Sequence, residues 1–411
     1  MDNLRVVIIG ASHAGAQLSA SLRQEGWSGE IILIGDEPYL PYHRPPLSKT
    51  FLAGTKSIED MYIRPKTFYE KNDIQLVNGH VTKIDRKTKN VYLENGDHIA
   101  YDKLAICTGA RVRKLDIKGS HLSGIHYVRN AQDILGLQVS IKLVKNAVIV
   151  GGGYIGLETA ASLRKLGINV TVLEYAPKIL QRVAAPQMGD FFDRLHREEG
   201  VEILTNIRIA EIAGIQSVTG IYLENGQYIA TELVIVGIGV LPNVELAEEA
   251  GLSVNNGIEV DEYCYTTDPN IMAVGDCATY INSHYERQIR LESVPNANDQ
   301  AKVAAKNLCD KKEKYQVIPW FWSDQYDVKL QITGLNNGFD EVVIRGDIES
   351  SRSFALFYFK KNEMIAADCV NRPLEFMLSK KIISEKLEVY KEKLSNENFD
   401  LKESIVSLYV H

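Results

Sequence analysis

Two stretches of this chain repeat one order of elements: an apolar strand, a glycine-rich turn, a helix, and a second strand ending in an acid. In the first, "LRVVIIG" leads through "GASHAG" into "AQLSASLRQEG", and the strand "EIILIGDE" ends in Asp36 and Glu37. In the second, "AVIVGG" leads through Gly151, Gly153 and Gly156 into "YIGLETAASLRKLG", and "NVTVLE" ends at Glu174. Such glycines let a pyrophosphate approach a helix N-terminus, and the acid accepts hydrogen bonds from a ribose. The repetition therefore predicts two dinucleotide-binding units.

The two turns differ in detail. Ser12 stands where the second glycine of the first turn is expected, and the site survives this change if the serine backbone keeps a negative φ. In the second unit, Glu174 would accept from a free ribose 2′-hydroxyl and repel a 2′-phosphate. The following "YAPK" supplies no arginine, and Lys178 is the nearest base. We therefore expect NADH to be preferred over NADPH.

Two further segments suit a flavoprotein. "YDKLAICTGA" is a strand followed by Thr108 and Gly109, and "NIMAVGDCA" is a strand that ends at Gly275 and Asp276. In a protein with two nucleotide units, an aspartate directly after a buried strand can accept from a ribityl hydroxyl of FAD. A Gly–Asp pair alone is a common turn, so this prediction depends on the neighbouring motifs.

Composition limits the alternatives. At 411 residues the chain is too long for one hydrophobic core, and its net charge of −7 argues against a broad nucleic-acid surface. No apolar run reaches membrane-spanning length, and the N-terminus lacks signal-peptide character. The five cysteines have no CxxC spacing, which argues against disulfides, a zinc site or a redox dithiol. We expect buried, reduced thiols, no metal site and a cytoplasmic setting.

The motifs "RPPLSK", "GGGYIGLE", "AVGDCA", "ESVPNANDQA" and "PWFWSDQY" together resemble the oxygenase-coupled NADH-dependent ferredoxin reductases, a branch of the FAD-dependent pyridine nucleotide-disulphide oxidoreductases. The resemblance runs from residue 4 to about residue 378. It implies an α/β fold of the glutathione-reductase type with two Rossmann-like domains and a C-terminal α/β domain. The expected boundaries are residues 1–111 with 242–317 for an FAD domain, 112–241 for an NAD domain, and 318–411 for a C-terminal interface domain.

The resemblance and the two glycine turns together assign the cofactor sites. The residues expected around FAD are Gly10, Ala14, Gly15, Asp36, Arg44, Lys49, Val81, Thr108, Gly109, Arg129, Gly275, Asp276, Val294 and Trp322. Those expected on the nicotinamide side are Gly151, Gly153, Tyr154, Ile155, Gly156, Glu158, Glu174, Gly237 and Gly239.

Hydride transfer needs the nicotinamide close to the flavin ring. The segment "RPPLSK" is expected to lie beside that position. Pro45 and Pro46 suit the rigid start of a helix, which would present Lys49 one turn later. We predict a pair between Lys49 and Glu158 beside the flavin, with both residues catalytic. "ESVPNANDQA" is expected to begin a helix aimed at the flavin, with Asn296 as its capping residue.

The stretch from Asp36 to Asp60 has no cysteine, so no thiol relay would receive electrons from the flavin. The resemblance then implies transfer of single electrons to a [2Fe–2S] ferredoxin that serves a haem monooxygenase or a ring-hydroxylating dioxygenase. The alternatives are a rubredoxin reductase and a thiol-free NADH oxidase or monodehydroascorbate-type reductase. A flavoprotein of a different class, resembling apoptosis-inducing factor and acting mainly by binding, is the remaining option. The oligomeric state stays open.

Acidic residues outnumber basic ones from residue 319 onward, so any patch that binds an acidic ferredoxin must be local. The candidate basic residues are Arg64, Lys66, Arg290, Lys329, Arg372, Lys380 and Lys381. Strand alternation places Trp320 and Trp322 on one face of "PWFWSDQY" and Phe321 on the other. We expect this stretch to shield the flavin and underlie the docking surface, with Trp322 contacting the carrier.

Overall fold

The computed structural model describes residues 4–406, which divide into two compact units. The first unit comprises the chain up to Arg44, Ser57–Arg111 and Val240–Pro319. The second comprises Pro45–Lys56, Val112–Gly239 and the chain from Trp320 onward. The separate boundaries expected for FAD, NAD and C-terminal domains stay a prediction.

A parallel sheet forms the centre of the first unit. Its strand order is Ile271–Ala273, Lys103–Ile106, Arg5–Ile9, Glu30–Gly35 and Ile74–Asn78. The β-branched run "RVVII" suits a central strand covered on both faces, and its Val6, Val7 and Ile8 are fully buried. The helices His13–Glu25 and Val294–Leu308 pack against each other in this unit.

Smaller elements complete the first unit. One antiparallel sheet has the strands Val81–Asp85, Asn90–Leu93 and His98–Ala100, and a mixed sheet has Ile258–Val260, Ala278–Asn282 and Arg287–Ile289. Its short helices are Glu59–Met61, Lys66–Lys71 and Glu245–Glu249. The strands Ala110–Val112 and Val240–Pro242 stand at the sequence boundaries of the units.

The second unit repeats the parallel arrangement. Its sheet has the order Glu202–Leu204, Asn169–Leu173, Asn146–Val150, Leu233–Val236 and Ile125–Tyr127. An antiparallel sheet of Ile209–Gly214, Val218–Leu223 and Tyr228–Ala230 shares a buried apolar core with it. The helices here are Pro45–Ser48 (a 3₁₀ turn), Ala131–Ile141, Tyr154–Lys165 and Pro186–Glu198.

The C-terminal part of the second unit is an antiparallel sheet. Its order is Trp320–Gln325, Val328–Gly334, Glu363–Val370, Phe354–Lys360 and Glu341–Arg345, with Trp320 opposite Thr333. The helix Pro373–Glu385 packs on it, and Lys391–Ser395 and Leu401–Ser404 follow. The predicted fold class, two Rossmann-like units plus a C-terminal α/β segment, is confirmed. Within residues 4–406, no helix is both long and apolar enough to cross a bilayer.

Candidate functional site

The first glycine turn has the geometry of a phosphate-binding cradle. Gly10 has φ +110°, and a Cβ there would stand 2.1 Å from the carbonyl oxygen of Cys107. A Cβ on Gly15 would stand 2.0 Å from the carbonyl oxygen of Gly10, so glycine is required at both positions. Ser12 has φ −114° and immediately precedes the helix that begins at His13, with Ala14 in its first turn. The serine therefore has the negative φ that a serine needs to replace the second glycine of this turn.

Arg44 ties this turn to the acidic end of the second strand. Its Nε donates to Ser12 Oγ at 2.8 Å, and its Nη2 donates to Glu37 Oε1 at 2.6 Å. The hydroxyl of Tyr42 donates to the other oxygen of Glu37 at 2.5 Å. The Asp36 side chain is 67% exposed and lies after the strand end at Gly35. Of the two adjacent acids, Glu37 is thus held by two protein donors, whereas Asp36, with His80 Nδ1 3.6 Å away, is the more exposed.

The turn at Gly275 lies against the same cradle. Gly275 has φ +83°, and a Cβ there would stand 3.1 Å from the Cβ of Ala14 and 3.6 Å from that of Ala297. Its backbone N–H donates to Gln300 Oε1 at 2.7 Å, and Asp276 follows it in sequence. The first glycine turn, the Gly–Asp turn and the helix that begins at Val294 therefore meet in the first unit.

The prediction that Asn296 caps this helix is wrong. The N-cap is Ser293, whose hydroxyl accepts from the Asn296 N–H at 3.2 Å. Asn296 lies inside the first turn, 4% exposed, and accepts from the Tyr315 hydroxyl at 2.9 Å. The sequence does carry a signal for this cap, because serine is a capping residue type and Pro295 lies in the first turn, where proline is well tolerated.

Further residues expected around FAD are Thr108, Gly109, Val81 and Arg129. Thr108 Oγ1 donates to the carbonyl oxygen of Asn243 at 2.7 Å, and Gly109 has φ +65°. Val81 is buried at the start of an antiparallel strand. Arg129 belongs to the second unit, where its backbone N–H donates to Asp133 Oδ2 at 3.0 Å.

The second glycine turn has the same construction. Gly151 has φ +110°, and a Cβ on Gly156 would stand 2.2 Å from the Gly151 carbonyl oxygen. Gly153 precedes the helix Tyr154–Lys165. Glu174 Oε2 accepts from the Gly152 N–H at 2.7 Å and Oε1 from the Ala176 N–H at 2.7 Å. Two backbone amides therefore fix the carboxylate beside the turn.

A cavity of about 450 Å³ opens over this turn. Gly151, Gly153, Glu174 and Gly237 are among the residues that line it, together with apolar side chains such as Leu115. Its lining residues do not include Tyr154, Ile155, Gly156 or Gly239. The cavity and the glycine cradle suit a bound dinucleotide phosphate with its ribose on Glu174.

Basic side chains reach this cavity from positions that the local sequence did not indicate. Arg182 and Arg208 line it, and the Arg208 guanidinium lies 4.7 Å from the ring centre of Tyr175 and donates to its hydroxyl at 2.6 Å. Lys178, the base nearest in sequence, instead pairs with Asp190 at 2.6 Å.

Lys49 and Glu158 form the ion pair that the sequence predicts. Lys49 Nζ lies 2.5 Å from Glu158 Oε2, and the side-chain exposures are 21% and 5%. The same oxygen accepts from Ser48 Oγ at 2.7 Å, and Oε1 accepts from Ser323 Oγ at 2.7 Å. Ser162 holds the 3₁₀ turn in place by donating to the Ser48 carbonyl oxygen at 2.6 Å. The catalytic role of the pair stays a prediction.

The aromatic strand has the predicted alternation. The rings of Trp320 and Trp322 lie 5.7 Å apart on one face, and Phe321 lies 5.1 Å from Tyr154 on the other. Lys380 Nζ lies 5.6 Å from the ring centre of Trp320. Leu374 and Met377 on the same helix as Lys380 are 75% and 62% exposed.

The other candidate basic residues differ in how far their charge is compensated. Arg372 pairs with Glu375 and Glu397, Arg290 with Glu292, and Lys66 with Glu70. Arg64 lies over the ring of Phe68. Lys329 and Lys381 have no ion pair among the residues described, and neither does Lys380.

All five cysteines are buried and unpaired. Burial raises the pKa of each thiol, from Cys107 near the first cradle to Cys369 in the C-terminal sheet. A buried thiol that stays protonated is a poor nucleophile. In the described part of the chain, no group of three or more His, Cys, Asp or Glu side chains could hold a metal ion.

Two dinucleotide cradles followed by an antiparallel C-terminal sheet define a two-nucleotide oxidoreductase. The chain belongs to the pyridine nucleotide-disulphide oxidoreductases, whose family profile matches residues 4–301; a second profile, for a reductase C-terminal domain, matches residues 320–405.

Similar proteins cover the chain almost completely. Putidaredoxin reductase CamA of Pseudomonas putida is 41% identical over 98% of this chain and 97% of its own length. A ferredoxin–NAD(P)(+) reductase of a Sphingomonas species is 42% identical over 93% of each chain. The reductase in the crystal structure of a covalent putidaredoxin reductase–putidaredoxin complex matches with a TM-score of 0.95, at 41% identity and 98% coverage of both chains.

Proposed function

We propose that this protein is an FAD-containing, NADH-dependent reductase that passes single electrons to a small [2Fe–2S] ferredoxin. That ferredoxin would serve a haem monooxygenase or a ring-hydroxylating dioxygenase. Support comes from full-length similarity to a putidaredoxin reductase and to a ferredoxin–NAD(P)(+) reductase.

The observation that carries the proposal is the state of the cysteines. Each thiol is buried, unpaired and held protonated, so the chain offers no dithiol to receive electrons. A reductase built in this way must release its electrons to an external acceptor. FAD supplies the required chemistry when bound, since it accepts a hydride and releases electrons one at a time.

The chain's own residues bind and orient the two nucleotides. Gly10 and Gly15 leave room for one pyrophosphate at the N-terminus of the helix His13–Glu25, and Gly151 and Gly156 do the same at Tyr154–Lys165. The N-terminus of the helix Val294–Leu308 adds partial positive charge beside the Gly275 turn.

Lys49 is proposed to orient the nicotinamide and polarise the flavin, with Glu158 as its counter-charge. Glu158 is almost fully buried and receives donors from Lys49, Ser48 and Ser323. This set keeps the ammonium of Lys49 in one position, which is what alignment of a hydride donor and acceptor requires.

The preference for NADH follows from Glu174. Its two oxygens are fixed by backbone amides, so the carboxylate cannot turn away from a 2′-phosphate. Arg182 and Arg208 line the same cavity and would reduce this repulsion. The ratio of kcat/KM for NADH to kcat/KM for NADPH measures the net effect of the Glu174 carboxylate and the two arginines. We expect NADH to be favoured by at least about tenfold.

The proposed docking surface for the ferredoxin centres on Trp322, Trp320 and Lys380. Trp322 is the proposed carrier contact, and Lys380 with Lys381 would attract an acidic partner.

We further propose a cytoplasmic setting without nucleic-acid or membrane partners, because the thiols are unpaired and the net charge is −7.

Electron-transfer assays on the purified flavoprotein test the proposal. NADH should bleach the flavin anaerobically, and cytochrome c reduction should depend on added [2Fe–2S] ferredoxin. Equal turnover with a rubredoxin would instead identify a rubredoxin reductase. Rapid oxygen consumption without a carrier would identify an oxidase, and very slow bleaching by NADH would refute a reductase function.

A further inference from the structure

A continuous chain of buried polar side chains leads away from Glu158. It runs through Ser323, Gln325 and His196 to Tyr326. Glu158, Ser323, Gln325 and His196 are 4%, 0%, 1% and 0% exposed. Burying this many polar groups is costly unless each has a partner, so their arrangement is informative.

The directions of these hydrogen bonds can be assigned one after another, starting from the Glu158 carboxylate, which only accepts. Ser323 Oγ donates to the Glu158 carboxylate at 2.7 Å, and Gln325 Nε2 donates to Ser323 Oγ at 3.1 Å. Gln325 Oε1 lies 2.7 Å from His196 Nε2, which must therefore carry a proton. The Tyr326 hydroxyl then donates to His196 Nδ1 at 3.3 Å. All donors point toward Glu158.

His196 is held neutral in this arrangement. Burial lowers its pKa to about 4, and the Gln325 hydrogen bond opposes this only in part. The imidazole is therefore an uncharged Nε2–H tautomer near neutral pH, as the network requires. The side-chain amide of Gln325 interrupts any proton relay, because an amide donates and accepts at different atoms. The chain orients hydrogen-bond dipoles and does not move protons.

We propose that Ser323, Gln325 and His196 are positioning residues for the reductase reaction, which hold the Glu158 carboxylate in the single orientation that faces Lys49. This inference rests on the proposed function. Without Ser323, Oε1 of Glu158 would lose its donor, and the carboxylate could rotate away from the Lys49 ammonium. The rate of hydride transfer would change more than the affinity for NADH.

The amino-acid sequence indicates only part of this series of hydrogen-bonded side chains. Ser323 and Gln325 have the strand parity of Phe321, so they are polar residues on the face that packs on the helix Tyr154–Lys165. Their partner His196 comes from the helix Pro186–Glu198, and its sequence neighbourhood does not indicate the contact.

Stopped-flow reduction of the flavin by NADH tests the inference with a matched pair of variants. Ser323→Ala removes the donor to Glu158. Thr333→Val removes another fully buried hydroxyl of the same sheet, one without a hydrogen-bond partner in the described structure. We expect Ser323→Ala to lower the limiting rate about tenfold with the NADH Kd changed less than about twofold. Thr333→Val should keep both values, and Gln325→Leu should give a smaller loss than Ser323→Ala.

Equal losses in Ser323→Ala and Thr333→Val, or a wild-type rate in Ser323→Ala, would overturn the inference. NMR of ¹⁵N-histidine-labelled protein gives a reading that does not depend on turnover, with His196 assigned by His196→Gln. A neutral Nε2–H tautomer at pH 6 that is disturbed by Gln325→Leu supports the chain, and a protonated or Nδ1–H imidazole refutes it. If NADH does not reduce the flavin of the wild-type protein, the proposed function fails. The NMR result still decides whether the hydrogen bonds from Glu158 to Tyr326 are formed.

Discussion

His196 and Asp368 are buried titratable groups of the second unit, and burial moves their pKa values in opposite directions. The pKa of His196 falls from 6.5 to about 4 because the imidazolium would be desolvated. The pKa of Asp368 rises from 3.8 to about 7 because its carboxylate is buried, although the Tyr358 hydroxyl donates to it at 2.5 Å. Both shifts make folding stability depend on pH.

The signs follow from which state binds more protons. Between pH 4 and 6.5 the unfolded state binds a proton at His196 that the folded state does not, so stability rises with pH. Between pH 3.8 and 7 the folded state keeps a proton on Asp368 that the unfolded state has lost, so stability falls with pH. At about 1.4 kcal/mol for each pKa unit, the two contributions are roughly 3 and 4 kcal/mol. They largely cancel in the wild-type protein.

Single substitutions should expose each contribution. His196→Gln keeps a donor toward Gln325 without titrating, so its stability relative to wild type should fall by roughly 3 kcal/mol as pH rises from 4 to 6.5. Asp368→Asn keeps an acceptor for Tyr358, so its relative stability should rise by roughly 4 kcal/mol between pH 3.8 and 7.

Urea unfolding at a series of pH values measures these differences. In a Trp27→Phe background, fluorescence reports Trp320 and Trp322, which both lie in the second unit. Substitution of the exposed His98 by Gln is the matched control, since it makes the same change of side chain at a histidine outside the second unit. A difference between His196→Gln and wild type that does not vary with pH would refute the assignment of His196 as a buried neutral imidazole.

Further expectations concern the cofactor and carrier sites. Lys49→Met should lower the rate of flavin reduction by NADH at least about tenfold, since Glu158 loses its only described cationic partner; an unchanged rate would contradict the catalytic role. Glu174→Ala should raise the Kd for NADH about tenfold and narrow the preference over NADPH, as isothermal titration would show. Charge reversal at Lys380 and Lys381 should slow ferredoxin-dependent turnover about threefold to tenfold and weaken its salt dependence, with ferricyanide reduction as the control. Trp322→Ala should impair ferredoxin reduction and spare NADH oxidation, and normal ferredoxin turnover would leave this strand a packing element.

The main architecture could be read from local patterns. Gly15 and Gly156 are needed because a side chain there would meet the carbonyl oxygens of Gly10 and Gly151, which belong to the same turns. The apolar strands that precede these turns are buried on both faces, as their β-branched runs predicted. The alternation of Trp320 and Phe321 likewise follows from the geometry of a single strand.

The details of the sites depended on contacts between distant segments. The sequence alone determined that this protein has two dinucleotide cradles and an aromatic C-terminal strand, because each is set by residues close together in the chain. It did not indicate that Arg44 and Tyr42 bind Glu37 and leave Asp36 the more exposed of the two acids. Only the tertiary structure brought Ser323 and His196 into one chain of hydrogen bonds that begins at Glu158, because no local pattern records a partner more than a hundred residues away.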